Sequence, residues 1–218
     1  MKEKQKMKEK VKEFIVKNLK WIILFICLIG FLAIAEDVFN KEIMNGDIVG
    51  YKLISTFLIS DFATPIAKFI TNFGGAIFLT ILTIILFILI KNKKIGVSIF
   101  LNLVIVTTLN QLLKRILQRP RPTEYRIIEE TGYSFPSGHS MISMAFYGYL
   151  IYLIYKYVKN KYVKWISMAL LSLLICSIGI SRIYLGVHYT SDVLGGFLIS
   201  ISYLVIYISA VNKFLIEK

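Results

Sequence analysis

The sequence predicts an all-α fold, a bundle of six transmembrane helices. Three observations carry this: a 56% apolar fraction, its arrangement in long blocks without amphipathic spacing, and lysine runs that punctuate the blocks. The blocks are residues 20–38, 64–90, 95–113, 136–155, 164–181 and 192–212. Most reach the roughly 20 residues that a helix needs to cross a bilayer. With 218 residues the chain makes one membrane domain, 21–218, behind a basic cytoplasmic segment, 1–20.

The first block is the shortest, since Trp21 to Ala35 is only 15 residues between Lys20 and Glu36. Lys17 and Lys20 can lengthen it by snorkelling. Its end, Ala33-Ile34-Ala35, also mimics a signal-peptide cleavage site after a basic stretch, and cleavage there would leave the sidedness of the rest unchanged. Segment 36–63 is acidic, with Glu36, Asp37, Glu42, Asp47 and Asp61 against Lys41 and Lys52, and includes a short amphipathic piece. Lys91-Asn92-Lys93-Lys94 separates the second and third blocks, and Pro120 and Pro122 break the helix after the third. Pro136 opens the fourth block, a position that suits proline as a first helical residue. Gly195 and Gly196 in the sixth allow close helix packing. Tyrosine and tryptophan are expected as anchors at the span ends. Cys27 and Cys176 both lie in apolar runs, which indicates packing and not a disulfide, and no Cys/His cluster has metal spacing.

The net charge of +13 would suggest a nucleic-acid partner in a soluble protein. Here the charge flanks apolar blocks, which excludes that class in favour of membrane orientation. Residues 1–20 hold eight Lys against three Glu, and Lys156 to Lys164 holds four Lys. With the basic N-terminus in the cytoplasm, loops 91–94 and 156–163 and the C-terminal tail fall inside. Segments 36–63, 114–135 and 182–191 fall outside. The positive-inside bias then fails only at 114–126, with Lys114, Arg115, Arg119, Arg121 and Arg126. Cations on the wrong face call for another purpose, and binding an anion is the simplest.

Three motifs gather on that face. Lys114 and Arg121 stand two helical turns apart and can share a face as the third span ends, although two snorkelling cations would look the same. Arginine presents a planar fork to phosphate oxygens, and lysine a point charge. Pro136-Ser137-Gly138-His139 puts Ser137 and Gly138 in a first helical turn, where unpaired N–H groups favour an anion and glycine permits close approach. Alone, this string is no more than a good helix start. His188 precedes Asp192 by four residues, so a carboxylate can orient one ring nitrogen and leave the other as a nucleophile; a helix cap is the plain alternative. Arg182 can hold phosphate oxygens opposite Lys114 and Arg121. The two histidines are the only ones in the chain. A pair with different neighbours suits a nucleophile and a general acid, and only the adjacent Asp192 favours His188 as the nucleophile.

In this order the motifs resemble the three signature motifs of the type 2 phosphatidic acid phosphatase (PAP2) superfamily of lipid phosphatases, over roughly residues 61–205. Weaker agreement extends to Ile70-Thr71-Asn72-Phe73-Gly74 and to Asp192-Val193-Leu194-Gly195-Gly196. The resemblance implies a PAP2-type bundle and phosphoryl transfer in two steps, without metal or other cofactor. His188 would attack phosphorus with Asp192 orienting it, and His139 would protonate the leaving group and then activate water. Lys114, Arg121, Arg182, Ser137 and the Gly138 N–H would neutralise the equatorial oxygens. The implied substrate is a membrane lipid phosphate such as phosphatidylglycerol phosphate, undecaprenyl diphosphate or phosphatidic acid, met at the outer face of the cytoplasmic membrane. A lipid phosphotransferase and a non-catalytic lipid-phosphate binder are the rival readings. A vanadate-holding haloperoxidase, a further relative of this site, is not generally a membrane bundle.

Overall fold

The computed structural model describes residues 2–41 and 44–216, with side chains from residue 16 onward. Glu42, part of the expected acidic outer segment, lies outside the described residues. Eight α-helices are present among the described residues: α1 (Lys2–Phe39), α2 (Asn45–Phe57), α3 (Ala63–Asn72), α4 (Ala76–Leu89), α5 (Lys93–Leu117), α6 (Gly138–Tyr157), α7 (Lys161–Tyr184) and α8 (Thr190–Val211). A π-helical turn, Asn212–Ile216, follows α8.

Local chemistry explains the boundaries. The Asn92 side chain accepts from Lys94 N at 3.0 Å and starts α5, and Asn160 accepts from the N–H groups of Tyr162 and Val163 at 3.0 and 3.1 Å and starts α7. Gln118, in the left-handed region at φ 44°, turns the chain out of α5 just before Pro120. α5 rises to Leu117, α6 returns from Gly138, α7 rises to Tyr184 and α8 leaves from Thr190. One end of the bundle therefore gathers every motif, and the other carries Lys93, Lys94, Lys156 and Lys161.

α6 sits at the centre, packed by α5, α7 and α8; α1 lies along α8, α4 along α5, and α3 and α2 brace α7. The outward faces are apolar, with Phe25, Ile29, Ile88, Trp165, Leu173 and Ile206 all exposed, as a lipid-facing surface requires. Cys27 is buried, whereas Cys176 is exposed, so only the first is core packing.

The expectation of six spanning helices is not met. Among the described residues four helices are long and apolar enough to cross a membrane: Val16–Phe39 of α1, α5, α7, and α8 with the π turn. A fifth is added if α3 and α4 count as one bent span. Two physical causes separate this from six. The block 64–90 breaks at Phe73–Gly75 into helices of 10 and 14 residues inclined at 49°. The block 136–155 becomes α6, whose apolar character is diluted by polar residues packed inside the bundle, among them Ser140, Ser143, Tyr147 and Tyr149. The tyrosine expectation needs the same correction: Tyr147, Tyr149 and Tyr207 are interior residues. Tyr147 Oη donates to Phe73 O and Tyr149 Oη to Ser98 Oγ, both at 2.7 Å, and Tyr207 Oη donates to Ser98 O. A bundle interior without water must satisfy its hydroxyls within itself.

Candidate active site

Backbone hydrogen bonds splice the three motifs into one block. Ser137 N donates to Asp192 O at 3.0 Å, and Ser134 N donates to Arg119 O at 2.8 Å. Gly196 lets α8 approach the start of α6: a Cβ there would stand 3.2 Å from both Met141 N and Ser137 O. Gly186, at φ 69°, has the left-handed conformation that favours glycine, and Tyr125 O leaves no room for a side chain. That turn places Val187 and His188 beside the 120–132 loop.

His188 is held from both ring nitrogens. Its Nδ1 lies 3.2 Å from Asp192 Oδ2, and its Nε2 lies 3.1 Å from Arg121 Nη1. A guanidinium can only donate, so Nε2 must be the acceptor and the proton sits on Nδ1, facing the carboxylate. Burial pushes the His188 imidazole down to about 4. Asp192 pulls against this, and the charges of Arg121 and Arg182 add to it. The ring is therefore neutral at neutral pH, with a lone pair on Nε2.

Cations surround that nitrogen. Arg121 also donates to Thr131 O, Gly132 O and Val187 O, each within 3.2 Å. Arg182, only 1% exposed, gives Nη1 to Thr71 Oγ1 at 2.8 Å and Nη2 to Glu130 Oε1 at 2.5 Å; its Nε is buried without a partner. Glu130 Oε2 lies 4.0 Å from Arg121, so one carboxylate bridges both guanidiniums. Burial acts to raise the Glu130 carboxyl, but the charge and hydrogen bond of Arg182 together with the charge of Arg121 hold it below the ordinary glutamate range. Lys114 is buried and donates to Tyr133 O and, at 3.2 Å, to Ser134 O. The charges of Arg182, Arg121 and Lys114 all act on His139, in the first turn of α6.

Every residue singled out from the motifs falls in this end of the bundle, with differences in detail. Arg121 lies beyond α5 in the loop, and so shares no helical face with Lys114. Pro136 precedes α6, whose N-cap is Ser137. The Ser137 side chain accepts from Ser140 N and its own N–H goes to Asp192 O, so both groups serve the scaffold in this state. Gly138 approaches Asn110 so closely that a Cβ would stand 3.1 Å from Oδ1. The three motifs do not point to Glu130, Ser134 or Asp47 as site residues, and Thr71 lies in the stretch of weaker agreement with no role assigned to it. Ser134 Oγ donates to Asp192 Oδ2. Arg119, which the sequence marks only as a misplaced cation, pairs at 2.7 Å with both Asp47 and Asp192. Its position between Lys114 and Arg121 is its one sequence signal; Asp47 has none.

A cavity of about 1280 Å³ opens beside the block between α2 and the 116–125 stretch. Ile48, Tyr51, Leu117 and Tyr125 line it, and Arg119 and His188 form part of its wall.

The PAP2 superfamily profile matches residues 94–216. Phosphatidylglycerophosphatase B of Bacillus subtilis is 31% identical over 174 residues, 77% of this chain and 84% of that protein. An undecaprenyl-diphosphatase of Sulfolobus acidocaldarius is 26% identical over 74% of this chain and 73% of its own length. The crystal structure of a transmembrane PAP2-type phosphatidylglycerolphosphate phosphatase from Bacillus subtilis superimposes with a TM-score of 0.75 at 26% identity, covering 88% of this chain and 96% of that one. The fold, the family profile over more than half of the chain and these relatives agree: the chain belongs to the PAP2 superfamily, as a membrane lipid phosphatase of that type.

Proposed function

We propose that the protein hydrolyses the terminal phosphate of a lipid phosphomonoester or diphosphate through a phosphohistidine on His188. The observation that carries this is the opposed pair of contacts on the imidazole, Asp192 on Nδ1 and Arg121 on Nε2, which leaves the nucleophilic lone pair facing the cation cluster. In the first step Nε2 bonds to phosphorus, the bond from phosphorus to the lipid oxygen breaks, and His139 protonates that oxygen. The imidazolium formed is stabilised by Asp192. In the second step His139 takes a proton from water, whose oxygen displaces His188 and releases phosphate. Arg182 Nε, without a partner, and Arg121 supply donors to the equatorial oxygens, with Lys114 adding a point charge. A site walled by three cations repels a metal ion, so charge neutralisation falls to the side chains.

The substrate classes that fit are phosphatidylglycerol phosphate, undecaprenyl diphosphate and phosphatidic acid, whose tails can stay in the bilayer while the headgroup reaches the end of the bundle. The adjoining cavity is large enough for part of a lipid. The lysines at the opposite end argue for a cytoplasmic location of that end and an extracytoplasmic site. The test is phosphate release by purified protein from these three lipids in excess EDTA, with His188→Ala alongside. Release that survives EDTA and falls at least about 10³-fold in the variant is expected. Undiminished activity of the variant removes His188 as nucleophile, and release that requires an added acceptor reassigns the protein as a phosphotransferase.

A further inference from the structure

The two oxygens of Asp192 face different partners. Oδ2 accepts from Tyr189 N at 2.9 Å, from Ser134 Oγ and from His188. Oδ1 accepts from Arg119 Nη1 at 2.7 Å. A buried guanidinium this close to the carboxylate competes with the imidazole for its charge. Arg119, however, gives Nη2 to a second carboxylate, Asp47 Oδ2, also at 2.7 Å. Asp47 comes from α2, and its place is fixed by Ser191, whose N donates to Oδ1 at 2.7 Å and whose Oγ donates to Oδ2 at 2.9 Å. The Tyr189 ring covers the guanidinium at 4.1 Å. Asp47, Arg119, Ser191 and Asp192 are all buried. Burial acts to lower the pKa of Arg119, but Asp192 and Asp47 outweigh it and keep the guanidinium firmly charged.

One cation held by two carboxylates leaves one net negative charge, and it faces His188. With Asp47 neutral the cluster would carry none. We propose that Asp47 and Arg119 are positioning residues: Arg119 fixes Asp192, and Asp47 balances Arg119 so that Asp192 retains the charge that stabilises the imidazolium formed when Nε2 bonds to phosphorus. This rests on the assignment of His188 and Asp192 as the reacting pair. Asp47 contacts none of Lys114, Arg121, Arg182 or His139, so it acts on the chemical step and not on phosphate binding.

The experiment uses the full-length protein in mixed micelles with phosphatidic acid, comparing Asp47→Asn, Asp192→Asn, the double variant and His188→Ala. Asp47→Asn is expected to lower kcat roughly 10- to 100-fold, the range for a buried charge-assisted contact, with KM within about twofold. In the Asp192→Asn background the same change should cost less than about twofold, because its effect passes through Asp192. Wild-type kcat in Asp47→Asn overturns the proposal, and so does an equal loss in both backgrounds, which would mark a merely structural role. If Asp47→Asn does not fold, Asp47→Ala prepared in formate supplies the comparison, since both Asp47 and Arg119 line the cavity through which formate can enter. Loss of kcat on exchange of formate for chloride supports the proposal, and unchanged kcat overturns it. Full activity of His188→Ala would instead defeat the underlying assignment, whatever Asp47 does.

Discussion

Glu130→Gln should tighten the binding of inorganic phosphate. In the resting site the Glu130 carboxylate occupies Arg182 at 2.5 Å and stands 4.0 Å from Arg121, so a phosphate oxygen that takes Arg182 Nη2 must displace it. A hydrogen bond to a charged partner contributes about 1.5–3 kcal/mol net. Arg182 is buried, but the Glu130 side chain is 30% exposed and partly screened, which favours the lower part of that range. At about 1.5–2 kcal/mol, removing the competing charge should lower the inhibition constant of phosphate by about 10- to 30-fold. Glutamine keeps the length of the side chain and an acceptor oxygen, so the comparison isolates the charge. Because Glu130 is held below the ordinary glutamate range, it is ionised throughout neutral and mildly acidic pH and competes there. The assay is competitive inhibition of phosphatidic acid hydrolysis by phosphate at pH 7. An unchanged or weaker inhibition constant would show that Glu130 helps to build the anion site and does not contest it.

Three further outcomes follow from the same geometry. Because the pKa of His188 is depressed to about 4, its neutral form is lost only as pH falls through that value; the acid limb of kcat/KM should therefore lie well below 6.5. Asp192→Asn should move it lower still, since Asp192 acts to raise the His188 pKa, and a limb near 6.5 that follows this substitution would contradict the assignment. Arg182→Lys should lower kcat by about 10²-fold, the cost of losing a transition-state donor, because an ammonium cannot hold Thr71 while presenting a second nitrogen to phosphate; near-wild-type rates would leave Arg182 a structural part. Gly196→Ala places a methyl against the backbone of Ser137 and Met141, which cannot swing aside, and should destabilise the protein by about 1–3 kcal/mol in thermal unfolding together with a loss of kcat.

The residues legible in the sequence stand out in one of two ways. His139, Arg182, His188 and Asp192 are ionisable groups beside apolar blocks, where a charge without a purpose is costly, and Lys114 and Arg121 belong to a cationic run on the face where the charge bias expects none; all reach one end of the bundle. Asp47 and Glu130 do not stand out, because each lies in a segment already rich in charge. Their partners are also remote, Ser191 being 144 positions from Asp47 and Arg182 being 52 from Glu130. No local periodicity records such pairs. Apolar blocks locate helices but do not say which neighbours cover them, and this is why α6 and the broken pair α3–α4 read as ordinary spans. The interior tyrosines mislead for the same reason: a hydroxyl suits an interface as well as a partner on the next helix.

The main-chain bonds from Ser134 to Arg119 and from Ser137 to Asp192 have a mechanical consequence. They tie the loop after α5 and the start of α8 to the stretch that leads into α6, so Arg121, His139 and His188 are set against one another by main chain as well as by side chains. The 126–132 stretch is clamped to the same frame, since Ile127 N donates to Leu185 O at 3.0 Å and Arg121 donates to Thr131 O and Gly132 O. Glu130, held in that stretch against Arg182, is then the side chain that has to swing for a phosphate oxygen to take its place, with no hinge between helices required.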